Sequence, residues 1–184
     1  MKNIFVIGDL HFGDSDMCTI LDGNDAPLRP FSSVQEHDES LIENWNKVVT
    51  HPSDKVYVLG DIAQKPKDID NFSKLMGKKI LIRGNHDIYD IKFYSKYFKD
   101  IRATHRLDSG LLMSHIPVHP STFGKAHKLN VHAHLHNKCI MKLLTYGPDG
   151  TRHTYAPDLR YKCVSAEQIG YTPIEITEIN IKND

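Results

Sequence analysis

Three short β-branched runs in the first half of the chain each give way to a glycine followed by polar, metal-capable side chains. Ile4 to Ile7 runs into Gly8-Asp9-Leu10-His11, Val56 to Leu59 into Gly60-Asp61, and Ile80 to Ile82, after Arg83, into Gly84-Asn85-His86-Asp87. A fourth run, Leu111 to Met113, ends on Ser114-His115. Short continuous apolar runs read as buried strands. A helix from about Val34 to Val49 lies between the first two, with Leu41, Ile42, Trp45, Val48 and Val49 on one face and Ser33 and Glu36 at capping-box spacing. Between the second and third, Ile69, Phe72, Leu75 and Met76 keep helical spacing up to Gly77. This β-α-β-α-β order implies parallel strands with right-handed crossovers. The carboxyl ends of such strands form the ligand crevice of an open α/β sheet, so four polar clusters at four ends are expected to converge.

A third helix is expected over Ile88 to Lys99, with Lys92, Lys96 and Lys99 on a solvated face. Beyond it the texture turns to strands. Ile101 to Leu107 and Leu111 to His115 flank the hairpin signal Asp108-Ser109-Gly110, and later strands are expected at Cys139 to Leu144, Arg160 to Ser165 and Ile174 to Ile179. Thr145 to Gly150 reads as a turn, and Gly13 to Pro30 as an irregular insertion with few core residues. The expected fold is one α/β domain over residues 1–184: a four-layer αββα sandwich of two mixed β-sheets flanked by helices.

Composition narrows the function classes. With 184 residues, 40% of them hydrophobic, the chain can bury a core without staples. Its 23 basic and 23 acidic residues cancel, which counts against a protein that holds long nucleic acid by charge, though local basic patches stay open. Cys18, Cys139 and Cys163 are odd in number and widely spaced, so they suggest neither a structural zinc nor a redox pair but a reducing compartment. Ile4 to Ile7 is too short for a leader, and no run approaches the ~18 apolar residues of a membrane span. A cytoplasmic protein without a membrane partner is expected; oligomeric state is not legible.

The chain has 12 histidines, three of them alternating at His132, His134 and His136. A strand-like backbone there would put all three imidazoles on one face. Asp, Asn and His without Cys form a hard-to-borderline donor set suited to Mn, Fe, Zn, Ni or Co. There are more donors than one ion needs. Two ions about 3.5 to 4 Å apart and sharing a carboxylate would use them all, which is the arrangement that clamps attacking and leaving oxygens in phosphate ester hydrolysis.

The ordered set D-x-H, G-D, G-N-H-D, S-H and a late histidine pair resembles the calcineurin-like metallophosphoesterase superfamily over most of the chain. Arg29-Pro30-Phe31, Asn44-Trp45-Asn46, Val56 to Asp61 and Tyr171-Thr172-Pro173 look closest to its small single-domain bacterial and phage branch. The resemblance implies one divalent cation on Asp9, His11, Asp61 and His136 and a second on Asp61, Asn85, His115 and His134, with Asp61 bridging. Manganese is the first expectation, with Fe, Zn, Ni, Co or Mg as alternatives. It further implies a metal-activated water as nucleophile, His86 as general acid or leaving-group contact, and Asn85 and His86 against the substrate. The substrate would be a nucleotide or other small phosphoester, monoester or diester. The chain departs from the family in having Ala133 for the glycine of G-H-x-H, and from the branch in having Asp14 where a histidine is frequent.

Several residues keep two readings. Asp87 either orients His86 in catalysis or caps a helix starting near Ile88; Arg29 either meets a substrate phosphate bidentately or is solvated. His132 reads as a packed histidine or one supporting a ligand from behind, against a ligand itself, and His119 and His127 as surface histidines, against lining the substrate opening. A fold-retaining binding module without chemistry is the alternative to an enzyme. Retention of His86 together with every ligand position favours the enzyme.

Overall fold

The computed structural model describes residues 3–146 and 153–179. Strands β1 (Ile4–Ile7), β2 (Lys55–Val58), β3 (Lys78–Ile82) and β4 (Asp100–Arg102) lie side by side and parallel. Strands β5 (Thr104–Arg106), β6 (Leu111–Ser114) and β7 (Leu129–His132) open a second sheet, with β5 antiparallel and β7 parallel to β6. A separate antiparallel ribbon of β8 (Met141–Tyr146) and β9 (His153–Pro157) follows. Then β10 (Tyr161–Cys163) joins β7 in parallel, and β11 (Ile174–Glu175) pairs antiparallel with β1. Both main sheets are mixed, as expected, and the chain passes from one to the other between Arg102 and Thr104.

Side-chain alternation along β1, β2 and β3 divides the core in two. Phe5, Ile7, Val56, Val58 and Leu81 face helical segments, where helix α1 (Val34–Val48) presents Leu41 and Trp45. Val6, Tyr57, Leu59, Ile80 and Ile82 face the second sheet, meeting Leu111, Met113, Leu129 and Val131. The first sheet is therefore apolar on both faces, which explains the continuous runs. The outer face of the second sheet is covered by the segment after His115. Val118 N donates to Asn130 Oδ1 at 3.0 Å and Tyr161 Oη to Val118 O at 2.8 Å, and the segment's helical content is the 3-10 turn Pro120–Thr122.

Helix α1 starts where expected, with Ser33 Oγ accepting from Glu36 N at 3.1 Å. The Glu36 carboxylate returns to Ser32 N at 2.8 Å, one residue before a regular capping box. Two expected helices differ. Pro66–Lys74 is a 3-10 helix, and its buried Ile69 and Phe72, with Leu75 beyond, recur every third residue, which suits three residues per turn. The helix expected over Ile88 to Lys99 is cut to α2 (Ile91–Tyr94). Arg83 donates to the Asp87 carbonyl and Tyr89 N to Tyr94 Oη at 3.2 Å, so the chain before Asp90 is committed to a loop. The strand expected to end at Ile179 gives way after Glu175 to the 3-10 turn Ile176–Glu178. The turn expected over Thr145 to Gly150 begins inside β8, and its last four residues lie outside the described residues. Among the described residues no helix is long and apolar enough to cross a membrane.

Candidate metal centre

Backbone hydrogen bonds lace the strand ends together. Asp9 N donates to Gly60 O at 3.1 Å, His11 N to Asp61 O at 3.0 Å, Ala133 N to His115 O at 2.9 Å and Gly8 N to Val164 O at 2.9 Å. The two sheets thus bring their carboxyl ends to one place. Glycine is needed where the loops cross, because a Cβ on Gly84 would overlap Asp61 Oδ1. Five side chains here sit on left-handed backbone: Asp9 (φ 53°), His11 (49°), Asp61 (50°), His134 (71°) and His136 (51°). Non-glycine residues in that region cost energy and concentrate at functional sites.

Two groups of ligand atoms result, each with all members within 4.8 Å of one another: Asp9, His11 and Asp61, and Asp61, His115 and His134. Asp61 belongs to both, as a bridging carboxylate would. Asn85 Oδ1 lies 2.8 Å from His115 Nε2, and Asp61 Oδ2 lies 3.3 Å from the same nitrogen. His136 stays outside both groups, its ring centroid 5.4 Å from that of His11. The exposed His86 ring lies 5.7 Å from His11, and its backbone N donates to Asp61 Oδ1 at 2.9 Å.

Hydrogen bonds fix the imidazoles. His11 Nδ1 donates to Asp14 Oδ2 at 3.2 Å, His115 Nδ1 to Leu59 O at 2.7 Å and His136 Nδ1 to Glu167 Oε1 at 3.0 Å. Each bond leaves Nε2 as the ligand nitrogen, the arrangement found behind metal-bound histidines. His11 Nε2 and Asp9 Oδ1 are both buried and have no hydrogen-bond partner among the described residues. A buried lone pair without a partner costs about 1 to 3 kcal/mol, and a cation between these two atoms would satisfy both. The donor set therefore fits divalent metal.

The local fields agree with this geometry. Burial opposes ionisation of Asp61, yet the hydrogen bond and charge of His115 hold its carboxyl below the usual carboxylate range. Burial also opposes the charged form of His115, and Asp61 outweighs it, so this imidazole is raised. Burial lowers His134. The hydrogen bond from His11 holds Asp14 down, so the residue standing where the branch often has a histidine serves as the orienting carboxylate of His11. Ala133 is accommodated as well: it is fully buried in the inter-sheet core, and the left-handed residue is His134 beside it.

Three expectations are corrected. Arg29 does not face a substrate opening. It is fully buried, and its guanidinium donates to Glu167 Oε1 at 2.7 Å, Leu10 O at 3.1 Å, His37 Nε2 at 2.6 Å and Asp9 O at 2.6 Å. It pins the loop after β1 from beneath. Asp87 neither orients His86 nor caps a helix. Its carboxylate accepts the backbone amides of Asp61 at 3.0 Å, Gly84 at 2.7 Å and Ile62 at 3.1 Å, tying the β2 loop to the β3 loop, and burial raises its carboxyl above the usual range. His132, His134 and His136 do not share a face. β7 ends at His132, whose ring packs outward 6.0 Å from Tyr161, and left-handed residues at His134 and His136 break the alternation.

Glu167 and His37 are absent from the sequence reading. Ser165-Ala166-Glu167 follows β10 as the other polar clusters follow their strands, so the same strand-end rule reaches it. His37 is buried and held below its usual value by that burial, with Nδ1 donating to Asp38 Oδ1 at 2.8 Å. Asp38 in turn accepts Gly13 N at 3.0 Å, extending the support from Arg29 to the start of the insertion.

Comparison with known proteins agrees with this architecture. The chain is 37% identical over 99 residues to the uncharacterized protein MJ1445 of Methanocaldococcus jannaschii, covering 50% of this chain and 51% of that protein. It is 34% identical over 92 residues to the gene 66 protein of Mycobacterium phage L5, covering 47% and 41%. The chain thus spans about half the length of the curated relatives it matches. The crystal structure of AQ665 from Aquifex aeolicus, a protein of unknown function, shares the fold at a TM-score of 0.64 and 22% identity, over 97% of this chain and 98% of that one. The family model for calcineurin-like phosphoesterases matches residues 2–164, so the chain belongs to that family.

Proposed function

We propose that this chain hydrolyses small phosphoesters, nucleotides among them, with two divalent cations. Asp9, His11, Asp61 and His136 would hold one, and Asp61, Asn85, His115 and His134 the other. Manganese suits this mixture of carboxylate, amide and imidazole donors. When bound, the cations supply Lewis acidity toward the phosphoryl oxygens and activate water near neutral pH. Asp14, Glu167 and the Leu59 carbonyl orient the imidazoles behind them. The Asn85 amide lies at the exposed edge of the centre, where it can also meet a phosphoryl oxygen. His86 is exposed and fixed to the centre through its backbone, so its imidazole N–H is free to protonate the departing oxygen.

The observation that carries this reading is the pair of ligand groups sharing Asp61, with Asp9 Oδ1 and His11 Nε2 buried and unpartnered. Its test is hydrolysis of bis(4-nitrophenyl) phosphate by manganese-reconstituted protein, with bound metal measured in the same sample. Turnover that rises with metal occupancy supports it. Full occupancy without turnover on this diester or on 4-nitrophenyl phosphate overturns it in favour of a binding module.

A further inference from the structure

The two halves of the centre stand on different supports. The Arg29 guanidinium donates to Asp9 O, to Leu10 O just before His11, and to Glu167 Oε1, which accepts from His136 Nδ1. It therefore touches the surroundings of Asp9, His11 and His136, three of the four side chains proposed for one cation. Its hydrogen bonds among the described residues do not reach Asn85, His115 or His134. That half rests instead on Asp87, which accepts the amides of Asp61 and Gly84, and on Leu59 O, which accepts from His115 Nδ1. The halves meet at Asp61 and where His134 N donates to Asp9 Oδ2 at 2.8 Å.

Arg29 itself is held by a histidine. His37, Leu41 and Trp45 form the buried stripe of α1 at four-residue steps, and the Phe31 ring packs edge-on against His37 with centroids 5.3 Å apart. An apolar side chain would continue this stripe. What the imidazole adds is an acceptor, Nε2, 2.6 Å from Arg29 Nη1. Arginine can only donate, so Nε2 carries the lone pair and the ring proton sits on Nδ1, where it donates to Asp38 Oδ1 at 2.8 Å. Asp38 is anchored in turn by Gly13 N at 3.0 Å and Asn71 Nδ2 at 3.1 Å. A neutral acceptor aims the guanidinium without competing with Glu167 for its charge, which a carboxylate at this position would do.

We propose that His37 is a positioning residue for one cation of the pair. Through Arg29 it sets the affinity of the half built on Asp9, His11 and His136, and it leaves the half built on Asn85, His115 and His134 close to its own value. This rests on the two-cation reading and adds that the two sites are tuned separately.

Zinc is diamagnetic, so chelator-buffered zinc can be titrated into metal-free protein while the imidazole nitrogen resonances are followed. His11 and His136 report one cation, His115 and His134 the other. His37→Phe keeps a ring in the stripe and removes both hydrogen bonds. The zinc midpoint read at His11 and His136 is expected to rise by about tenfold or more, the scale on which partners behind a ligand act, and the midpoint at His115 and His134 by far less. His37→Gln, whose Oε1 can stand in the place of Nε2 and accept from Arg29, is expected to restore most of the loss. A loss of fold stability alone would move both pairs together. Equal rises at the two pairs, no rise, or a His37→Gln protein as weak as His37→Phe overturns the proposal. Should His37→Phe not fold, His37→Asn, whose amide is too short to reach Arg29, takes its place with the same outcomes. A wild-type chain that takes up only one zinc overturns the two-cation reading itself, and the assignment of His37 with it.

Discussion

Glu167 Oε1 accepts hydrogen bonds from two sides, from His136 Nδ1 at 3.0 Å and from Arg29 Nε at 2.7 Å. One carboxylate oxygen therefore joins a candidate ligand to the residue that supports the β1 loop. Burial opposes its ionisation, but His136 and Arg29 bring its pKa down to about 2 from 4.5. A folded-state value below the unfolded one stabilises the protein fully above pH 4.5, and that stability is lost as pH falls toward 2. The shift corresponds to roughly 3 kcal/mol. In metal-free protein, Glu167→Gln is expected to be less stable at pH 6 and to show a flatter loss of stability between pH 4.5 and 2. Urea titrations followed by Trp45 fluorescence across that range measure both.

Asp61 is the residue common to both ligand groups. Asp61→Ala is expected to remove both cations, whereas His11→Ala mainly weakens one. Elemental analysis after saturation with manganese and gel filtration separates the two results. Equal losses in the two variants would contradict the shared role.

His86 ties its backbone to Asp61 and leaves its ring exposed. His86→Gln keeps the ligands and removes the proton donor, so kcat for alkyl esters is expected to fall by about 10² to 10⁴. Aryl esters, whose phenolate leaves unaided, are expected to lose far less. Comparing both substrate types at equal metal occupancy tests this, and equal losses would assign His86 to charge stabilisation on the phosphoryl group.

Arg29 and Asp87 work beneath the centre. Arg29→Ala takes from the buried Glu167 one of its two partners, leaving His136, and removes the donor to Asp9 O and Leu10 O; breaking a buried pair from one side costs about 3 to 5 kcal/mol. Asp87→Ala strips three backbone amides of their acceptor. Both variants are expected to lower the chemical-denaturation midpoint, whereas His86→Gln should leave it near the wild-type value.

The legible part of the centre is what a strand end carries with it. Asp9, Asp61, Asn85 and His115 each follow an apolar run, and parallel pairing brings those ends together before any side chain is considered. Helix α1 was equally open, because its buried residues repeat at helical spacing. What stayed hidden depends on separation or on backbone dihedrals. Arg29 and Glu167 are 138 residues apart, and nothing local to either tells of the other. The His132 to His136 alternation misled because its period is that of a strand, while left-handed residues decide where those rings point. The shortened α2 reflects a tertiary contact, Arg83 on the Asp87 carbonyl, that overrides local helical preference.

The left-handed backbone at Asp9, His11, Asp61, His134 and His136 sets activity against robustness. An L-residue held there costs about 1 to 2 kcal/mol that glycine does not incur. Removing any of these side chains by glycine should thus destabilise the metal-free fold less than removing it by alanine, and at some positions should stabilise it. Selection for stability alone would therefore erode these positions toward glycine, and the functional groups would be lost first.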